Sequence, residues 1–263
     1  MLTTYIVNIL ISLLYSGIGF FVLLRNPANV INKRFCIFAN AFCVWSSLIF
    51  FTLQTTDPLL ATFRLRLVFC AASFLPATLF FFTSVFPDRT ESVIDRYLSI
   101  LFFAISVILS FFSSLIVNSV SFEKHLPHAR YGSLFPVFIF YFVVCMAYSI
   151  YRLYKKSKSY YGVKKLQIQY FYFGVAVSLL LATITNFILP LLINVWYVER
   201  FVPFMSIPIP LSVAYAIVKY HLMDISVVIK RSTVYAALSI VLSIIYFAVG
   251  LIMSSLLPVS AYK

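Results

Sequence analysis

Long apolar stretches alternate with short polar segments along the whole chain. There are eight such stretches, and none has a charged residue in its middle. About 20 apolar residues are enough to cross the hydrocarbon core of a bilayer, where a helix satisfies its own backbone hydrogen bonds. The pattern therefore predicts an all-α fold, a polytopic transmembrane bundle of about eight helices. The predicted spans are about 3–24, 35–54, 64–86, 97–118, 134–154, 167–193, 201–218 and 233–257.

The composition supports a single domain that is covered by lipid. Hydrophobic residues make up 63% of the chain and charged residues 10%, whereas a soluble domain has roughly 25% charged residues. No segment between the predicted spans is long enough for a second fold, so residues 1–263 are expected to form one membrane-embedded domain. The four cysteines lie inside apolar stretches without metal-ligand spacing, and we interpret them as packing residues.

Lysine and arginine are unevenly distributed between the two sides of the predicted bundle. Of the 20 in the chain, 14 fall in the odd-numbered loops and 6 elsewhere. Because positively charged loops stay in the cytoplasm, this asymmetry places the N-terminus outside. In a soluble protein the net charge of +13 would favour nucleic acid as a partner. In short loops beside membrane spans it favours anionic headgroups, so membrane lipids are expected as partners and nucleic acid is not.

Prolines inside the predicted spans mark places where a helix is interrupted. A proline leaves the carbonyl four residues before it without a donor and kinks the helix. In the seventh span, Pro208 and Pro210 free the carbonyls of Phe204 and Ser206. Those carbonyls then need hydroxyls, water or neighbouring helices as partners. This span is predicted to bend and to line a cavity; the alternative is a static kink that packing fills.

Polar residues of the sixth span extend this candidate cavity. Thr183, Asn186 and Pro190 share one face of the predicted helix. An asparagine within a span is expected to face the bundle, where it either hydrogen-bonds across helices or contacts a ligand.

Two arginines lie in the first turns of the third span, near the outer surface. Arg64 and Arg66 are expected to reach lipid headgroups, to pair with Asp57 or Glu199, or to form an anion-binding entrance. The candidate sensing cavity consists of Arg64, Arg66, Thr183, Asn186, Pro190, Ser206, Pro208 and Pro210.

The sequence lacks the motifs that carry common enzymatic chemistry. It has no Gly-rich phosphate loop, no GxSxG, no HExxH and no pair of carboxylates in an apolar setting. His125 and His128 in an outer loop are three residues apart, but no cysteine or well-placed carboxylate completes a metal site. A pH-responsive pair is the alternative interpretation. No catalytic residue, metal or cofactor is therefore expected.

Three runs near the end of the chain form a specific motif: Ser206-Ile207-Pro208, the segment Ala214 to Ile225, and the segment Val228 to Tyr235. Weaker pieces are Phe86-Pro87-Asp88, the segment Gly162 to Gln167 with its lysine pair, and the segment Asn186 to Pro190. Together these segments resemble the N-terminal membrane-sensor region of bacterial histidine kinases, of the seven-transmembrane type. The resemblance implies a sensory input module of two-component-type signalling, in which a stimulus passes through the proline-rich seventh span to a cytoplasmic output.

The segment after the seventh span is the expected signal coupler. Its cations and one tyrosine would hold it at the cytoplasmic surface, and its aspartate would pair with a cation or cap a short interfacial helix. The alternative is a positively charged loop that serves topology alone. The coupler residues are Lys219, Tyr220, Asp224, Lys230 and Arg231.

The chain departs from the resemblance in the domains that it lacks. It has no phosphoacceptor histidine in a His-Glu context and no nucleotide-binding glycines, and by the span count it stops at Lys263 on the outer side. It resembles an input module without its kinase domains, so no enzymatic activity is expected of it. The resemblance implies the bacterial cytoplasmic (inner) membrane, a cytoplasmic kinase or other output domain as partner, and a homodimer. The alternatives are a small-solute or lipid transporter and a structural membrane subunit.

Overall fold

The computed structural model describes residues 2–88, 91–123, 126–184, 204–220 and 222. Six of its helices are long and apolar enough to cross a membrane, and the stretch Phe204–Ile217 is a shorter apolar one. The predicted all-α membrane bundle is confirmed; the eighth predicted span lies outside the described residues. The elements are α1 Leu2–Arg25, α2 Val30–Leu53, α3 Pro58–Val85, α4 Val93–Phe111, α5 Ser113–Ile116, β1 Val117–Glu123, β2 Leu126–Tyr131, α6 Phe135–Ser159, α7 Gly162–Thr183 and α8 Pro208–Tyr220.

Side-chain caps set the starts of three helices. The side chains of Asn29, Asp57 and Ser92 accept hydrogen bonds from first-turn backbone N–H groups of α2, α3 and α4. Such a cap stabilises a helix by about 1 kcal/mol. Helices α2 and α3 therefore begin at residues 30 and 58, ahead of the apolar stretches that predicted them. The apolar pattern marks the lipid-covered part of each helix, whereas the helix itself extends to its polar cap.

The fourth predicted span, to residue 118, is too long, and a β-hairpin occupies its last two residues and the expected outer loop. Helix α4 ends at Phe111, and after the short α5 the strands β1 and β2 pair antiparallel. The hairpin is fastened to α3, because the Arg66 guanidinium donates to the carbonyls of Val117 and Asn118, each at 2.9 Å. The backbone N–H of Val120 also donates to the Thr62 hydroxyl at 2.9 Å. The hairpin therefore covers one end of the bundle.

Contacts between helix ends show that consecutive helices run in opposite directions. Arg64 at the start of α3 donates to the carbonyl of Phe51 at the end of α2, and Gln167 near the start of α7 donates to the carbonyl of Tyr220 at the end of α8. We call the end of the bundle with the hairpin the hairpin face and the opposite end the basic face. Among the described residues the basic face carries 11 lysines and arginines and the hairpin face 3. The positive-inside rule predicts that the basic face lies in the cytoplasm.

Helix α3 is the centre of the bundle. In the most apolar part of α3, 56% of the residues are buried, against 22–33% in the corresponding parts of the other five long helices. On one side Phe82 packs against Phe38 of α2 and Phe171 of α7, with ring centroids 6.3 and 5.0 Å away. On the other side Phe80 packs against Phe102 of α4, at 5.0 Å. Phe80 also packs against Tyr148 of α6, at 5.7 Å. One aromatic layer therefore joins α3 to α2 and α7, and a second joins it to α4 and α6.

Candidate functional site

A short turn precedes α8. Phe204–Ser206 form a single 3₁₀ turn, and α8 begins at Pro208. The sequence placed the prolines inside a bent helix, but the structure places Pro208 and Pro210 in the first turn. First-turn N–H groups have no acceptor within the helix, so a proline costs no hydrogen bond there. We call residues 204–207, the 3₁₀ turn and the residue that precede the helix, the α8 break.

Both carbonyls that the prolines free accept hydrogen bonds, that of Ser206 from a hydroxyl of another helix, as expected, and that of Phe204 from the backbone of its own turn. The Phe204 carbonyl accepts from the N–H of Ile207 at 3.1 Å. The Ser206 carbonyl accepts from the Tyr15 hydroxyl of α1 at 2.7 Å. Tyr15 is 2% exposed, and its ring stacks on Phe42 of α2 at 4.9 Å. The α8 break is therefore fastened to α1 and α2 by one buried tyrosine.

Helices α7 and α8 approach each other closely at Gly174. A Cβ atom added there would lie 2.8 Å from the carbonyl oxygen of Pro208 and closer still to the Ser212 hydroxyl. The neighbouring α8 side chains Val213 and Ala216 are fully buried. Because the Pro208 carbonyl belongs to the backbone, it cannot turn away, and only glycine fits this position without moving α8. Sequence reasoning overlooked Gly174, although the chain has only six glycines.

At its other end α8 is attached to α7 by a tyrosine cluster. The ring of Tyr170 lies 4.8 Å from that of Tyr215 and 5.2 Å from that of Tyr220. Lys219 donates to the Tyr215 hydroxyl at 2.8 Å, and Gln167 holds the Tyr220 carbonyl at 2.8 Å. Of the expected coupler residues, Tyr220 is thereby held against α7, and Lys219 is bound to Tyr215 of its own helix. Asp224, Lys230 and Arg231 lie outside the described residues.

The expected cavity residues lie in different surroundings. Arg64 and Arg66 bind backbone carbonyls at the hairpin face, and Asp57 caps α3. Thr183 is exposed at the end of α7, and its hydroxyl donates to the carbonyl of Leu179 at 2.8 Å. Ser206, Pro208 and Pro210 come together at the α8 break. Asn186 and Pro190 lie outside the described residues.

The basic face is built on a second set of charged contacts that the sequence did not predict. Arg34 of α2 binds both carboxylate oxygens of Glu91 at 2.8 Å, and both side chains are about nine-tenths buried. Arg34 also donates to the Ser84 hydroxyl and the Phe81 carbonyl at 2.7 and 3.0 Å. Its hydrogen bond, followed by its positive charge, lowers the pKa of Glu91 despite partial burial. This ion pair joins α2 to the turn between α3 and α4.

The same turn is joined to the α6–α7 turn through Asp88. Burial raises the pKa of Asp88, but hydrogen bonds from Lys164 and Tyr160 outweigh it, and the pKa is lowered overall. The Lys164 ammonium lies 2.5 Å from the carboxylate. The bond to Asp88 in turn raises the pKa of Tyr160 to about 12. Two of the weaker segments of the resemblance, Phe86-Pro87-Asp88 and the one with the lysine pair, thus meet in space.

Helix α6 contributes two further cations to the basic face. The Lys156 ammonium donates to the carbonyls of Thr83, Ser84 and Phe86, at 2.7, 3.2 and 2.5 Å. These are the last carbonyls of α3 and its cap, where a cation is favoured by the helix dipole. Arg152 binds both carboxylate oxygens of Asp95 in the first turn of α4. Helix α6 therefore clamps α3 and α4 together.

Comparison with known proteins bears directly on this architecture. Residues 6–226 match the family described as the N-terminal 7TM region of histidine kinase. A search of curated proteins found no match. The family match covers more than four fifths of the chain and ends beyond α8, before the eighth predicted span. The resemblance drawn from short motifs is confirmed over seven predicted spans, and the chain belongs to the family of seven-transmembrane N-terminal regions of histidine kinases.

Proposed function

We propose that this multi-pass membrane protein is the sensory input module of a two-component-type signalling protein in the bacterial cytoplasmic membrane. The observation that supports the proposal is that α8 is held by neighbouring helices at both ends and along its length. It is held at its break by the Tyr15 hydroxyl, along its length by Gly174 of α7, and at the basic face by Tyr170 and Gln167. A helix of 13 residues is about 20 Å long and transmits a displacement from one end to the other.

The stimulus acts at the α8 break in this proposal. A stimulus shifts a two-state equilibrium only by the difference in its affinity for the two states. The Tyr15 hydrogen bond distinguishes the two states, since it exists only while the Ser206 carbonyl lies within reach. A stimulus that binds only when this bond is open therefore shifts the equilibrium. Thr183, Asn186, Pro190, Ser206, Pro208 and Pro210 remain the proposed surroundings through which a ligand reaches the break, whereas Arg64 and Arg66 bind backbone carbonyls at the hairpin face.

The output is read at the basic face. Helix α8 ends there at Tyr220, and Leu222 is fully buried, so a movement of α8 displaces the expected coupler through Lys219 and Tyr220 to Asp224, Lys230 and Arg231. The family match ends within this segment. We propose that a cytoplasmic kinase or other output domain, in the same protein or in a separate one, receives the movement there, and that two copies of the module act as a homodimer.

The test compares two changes that alter the break without touching charge. Tyr15→Phe removes one hydroxyl, and the double change Pro208→Ala with Pro210→Ala restores backbone donors to the break. Losing one buried hydrogen bond of about 1 kcal/mol shifts a two-state equilibrium roughly fivefold. We expect both variants to shift basal phosphorylation of the output by about this factor when expressed from the native gene context. The measurement is the phosphorylated fraction of the downstream acceptor.

Tyr161→Phe is the matched control, because Tyr161 in the turn between α6 and α7 is 84% exposed. It should leave phosphorylation at the wild-type value. Normal membrane insertion of all variants is checked by extraction with carbonate. Unchanged phosphorylation in both break variants would contradict the proposal. A change in solute flux in the same variants would favour a transporter instead.

A further inference from the structure

A pocket opens at the basic face between the start of α4 and the end of α6. Its volume is about 390 Å³, and Asp95, Arg152, Lys155 and Lys156 line it. It lies apart from the α8 break and from the α7–α8 contact, so the proposed signalling path leaves it unexplained.

The charge of this pocket is positive after its internal contacts are counted. It holds three cations and one carboxylate, a net charge of +2. Arg152 satisfies both oxygens of Asp95. Lys156 is bound to three carbonyls, which are uncharged and leave its positive charge in place. The Lys155 side chain is exposed, and its ammonium has no hydrogen-bond or ion-pair partner among the residues that the structure describes.

The wall beside the pocket is apolar and exposed. On α4, Val93, Ile94 and Tyr97 are 69–70% exposed, and Leu101 further along the helix is 51% exposed. Tyr151 of α6, 57% exposed, lines the pocket. Tyrosines are favoured at the headgroup level of a bilayer, and exposed aliphatic residues below them face acyl chains. The surface therefore changes from cationic to apolar within two turns of α4.

We propose that this pocket binds the headgroup of an anionic phospholipid. The phosphate lies against Lys155 in the field of Arg152 and Lys156, and the acyl chains lie along the exposed face of α4. Basic pockets between transmembrane helices on the cytoplasmic side have the chemistry that anionic headgroups require. A bound lipid would strengthen the contact between α4 and α6, which otherwise depends at this end on the pair formed by Arg152 and Asp95.

The test measures lipid binding to the full chain in neutral detergent by native mass spectrometry. Phosphatidylglycerol and phosphatidylcholine with identical chains are titrated against the wild type and two variants. Lys155→Gln removes the unpartnered cation of the pocket. Lys158→Gln is the matched control, since Lys158 lies on the same helix over the ring of Tyr154, at 4.5 Å, and does not line the pocket.

We expect the wild type to prefer phosphatidylglycerol, Lys155→Gln to weaken that binding roughly fivefold, and Lys158→Gln to leave it unchanged. Equal losses in the two variants would show general attraction to a basic surface and would overturn the proposal. So would an equal affinity for the two lipids. Displacement of the lipid by millimolar inorganic phosphate or glycerol phosphate would assign the pocket to a soluble anion and overturn the lipid assignment.

Discussion

Glu91 shows how one residue outside the apolar stretches fixes three helices. Its carboxylate joins Arg34 of α2 to the turn between α3 and α4. The Glu91 pKa is lowered in the folded protein, so the ion pair contributes stability above the ordinary glutamate pKa and loses it as the pH falls through the folded value. The pair is nearly buried, so little solvent screening weakens it.

We expect Glu91→Gln to lower the free energy of unfolding by about 2 kcal/mol at neutral pH, because a charged hydrogen-bond pair is lost. The difference from wild type should shrink as the pH falls below the ordinary glutamate pKa, because the wild-type carboxylate becomes protonated only below that value. Thermal unfolding in detergent between neutral and acidic pH measures this difference. Asp57→Asn is the control, since asparagine caps a helix as well as aspartate; a pH-independent loss in Glu91→Gln would contradict the argument.

The sequence identified individual residues of these contacts but not their partners, because the partners are far apart in the chain. Phe86-Pro87-Asp88 and the lysine pair near Lys164 were noticed as motif pieces, but their contact joins positions 76 residues apart in the chain. The Tyr15 bond to Ser206 spans 191 residues. A tyrosine among apolar residues resembles many interfacial tyrosines, so nothing local marks it as a partner of the break.

Helices were predicted well at the scale of elements, and the hairpin was not. Long apolar runs identify α1 to α4, α6 and α7 because lipid leaves the backbone no other solution. The run 97–118 continued past the end of α4 because Ile116 and Val117 are buried with residues of α3 and α6 rather than in lipid. Hydrophobicity alone does not distinguish a strand packed on protein from the last turn of a span.

The contact between α7 and α8 depends on the absence of a side chain at Gly174. Gly174→Ala places a methyl group against the Pro208 carbonyl, so we expect α8 to shift and the protein to lose about 1–3 kcal/mol of stability. Gly17→Ala in α1 is the matched control, because a Cβ there meets nothing within 4 Å. The control should gain up to about 1 kcal/mol from helix propensity. Thermal unfolding of both variants in one detergent measures the effect, and equal melting temperatures would refute the close contact.

At the scale of the whole molecule, separate features agree on one orientation. The basic face contains the loops that follow α1, α3 and α6, with their cations, and also the end of α8. The sequence predicted this side from charge counting. It did not predict that the same cations form the contacts that hold the helix ends together, since such contacts depend on which helices are neighbours.

The orientation in the membrane gives the last prediction. Ser133 lies exposed on the hairpin face and Ser159 on the basic face, so Ser133→Cys and Ser159→Cys are a matched pair of conservative changes. The native cysteines lie within the helices of the bundle, where a charged, membrane-impermeant maleimide does not reach them. Because basic loops stay in the cytoplasm, the reagent should label Ser133→Cys in intact spheroplasts and Ser159→Cys only after permeabilisation. The reverse pattern would place the N-terminus and the hairpin in the cytoplasm, and the coupler would then face away from any cytoplasmic kinase.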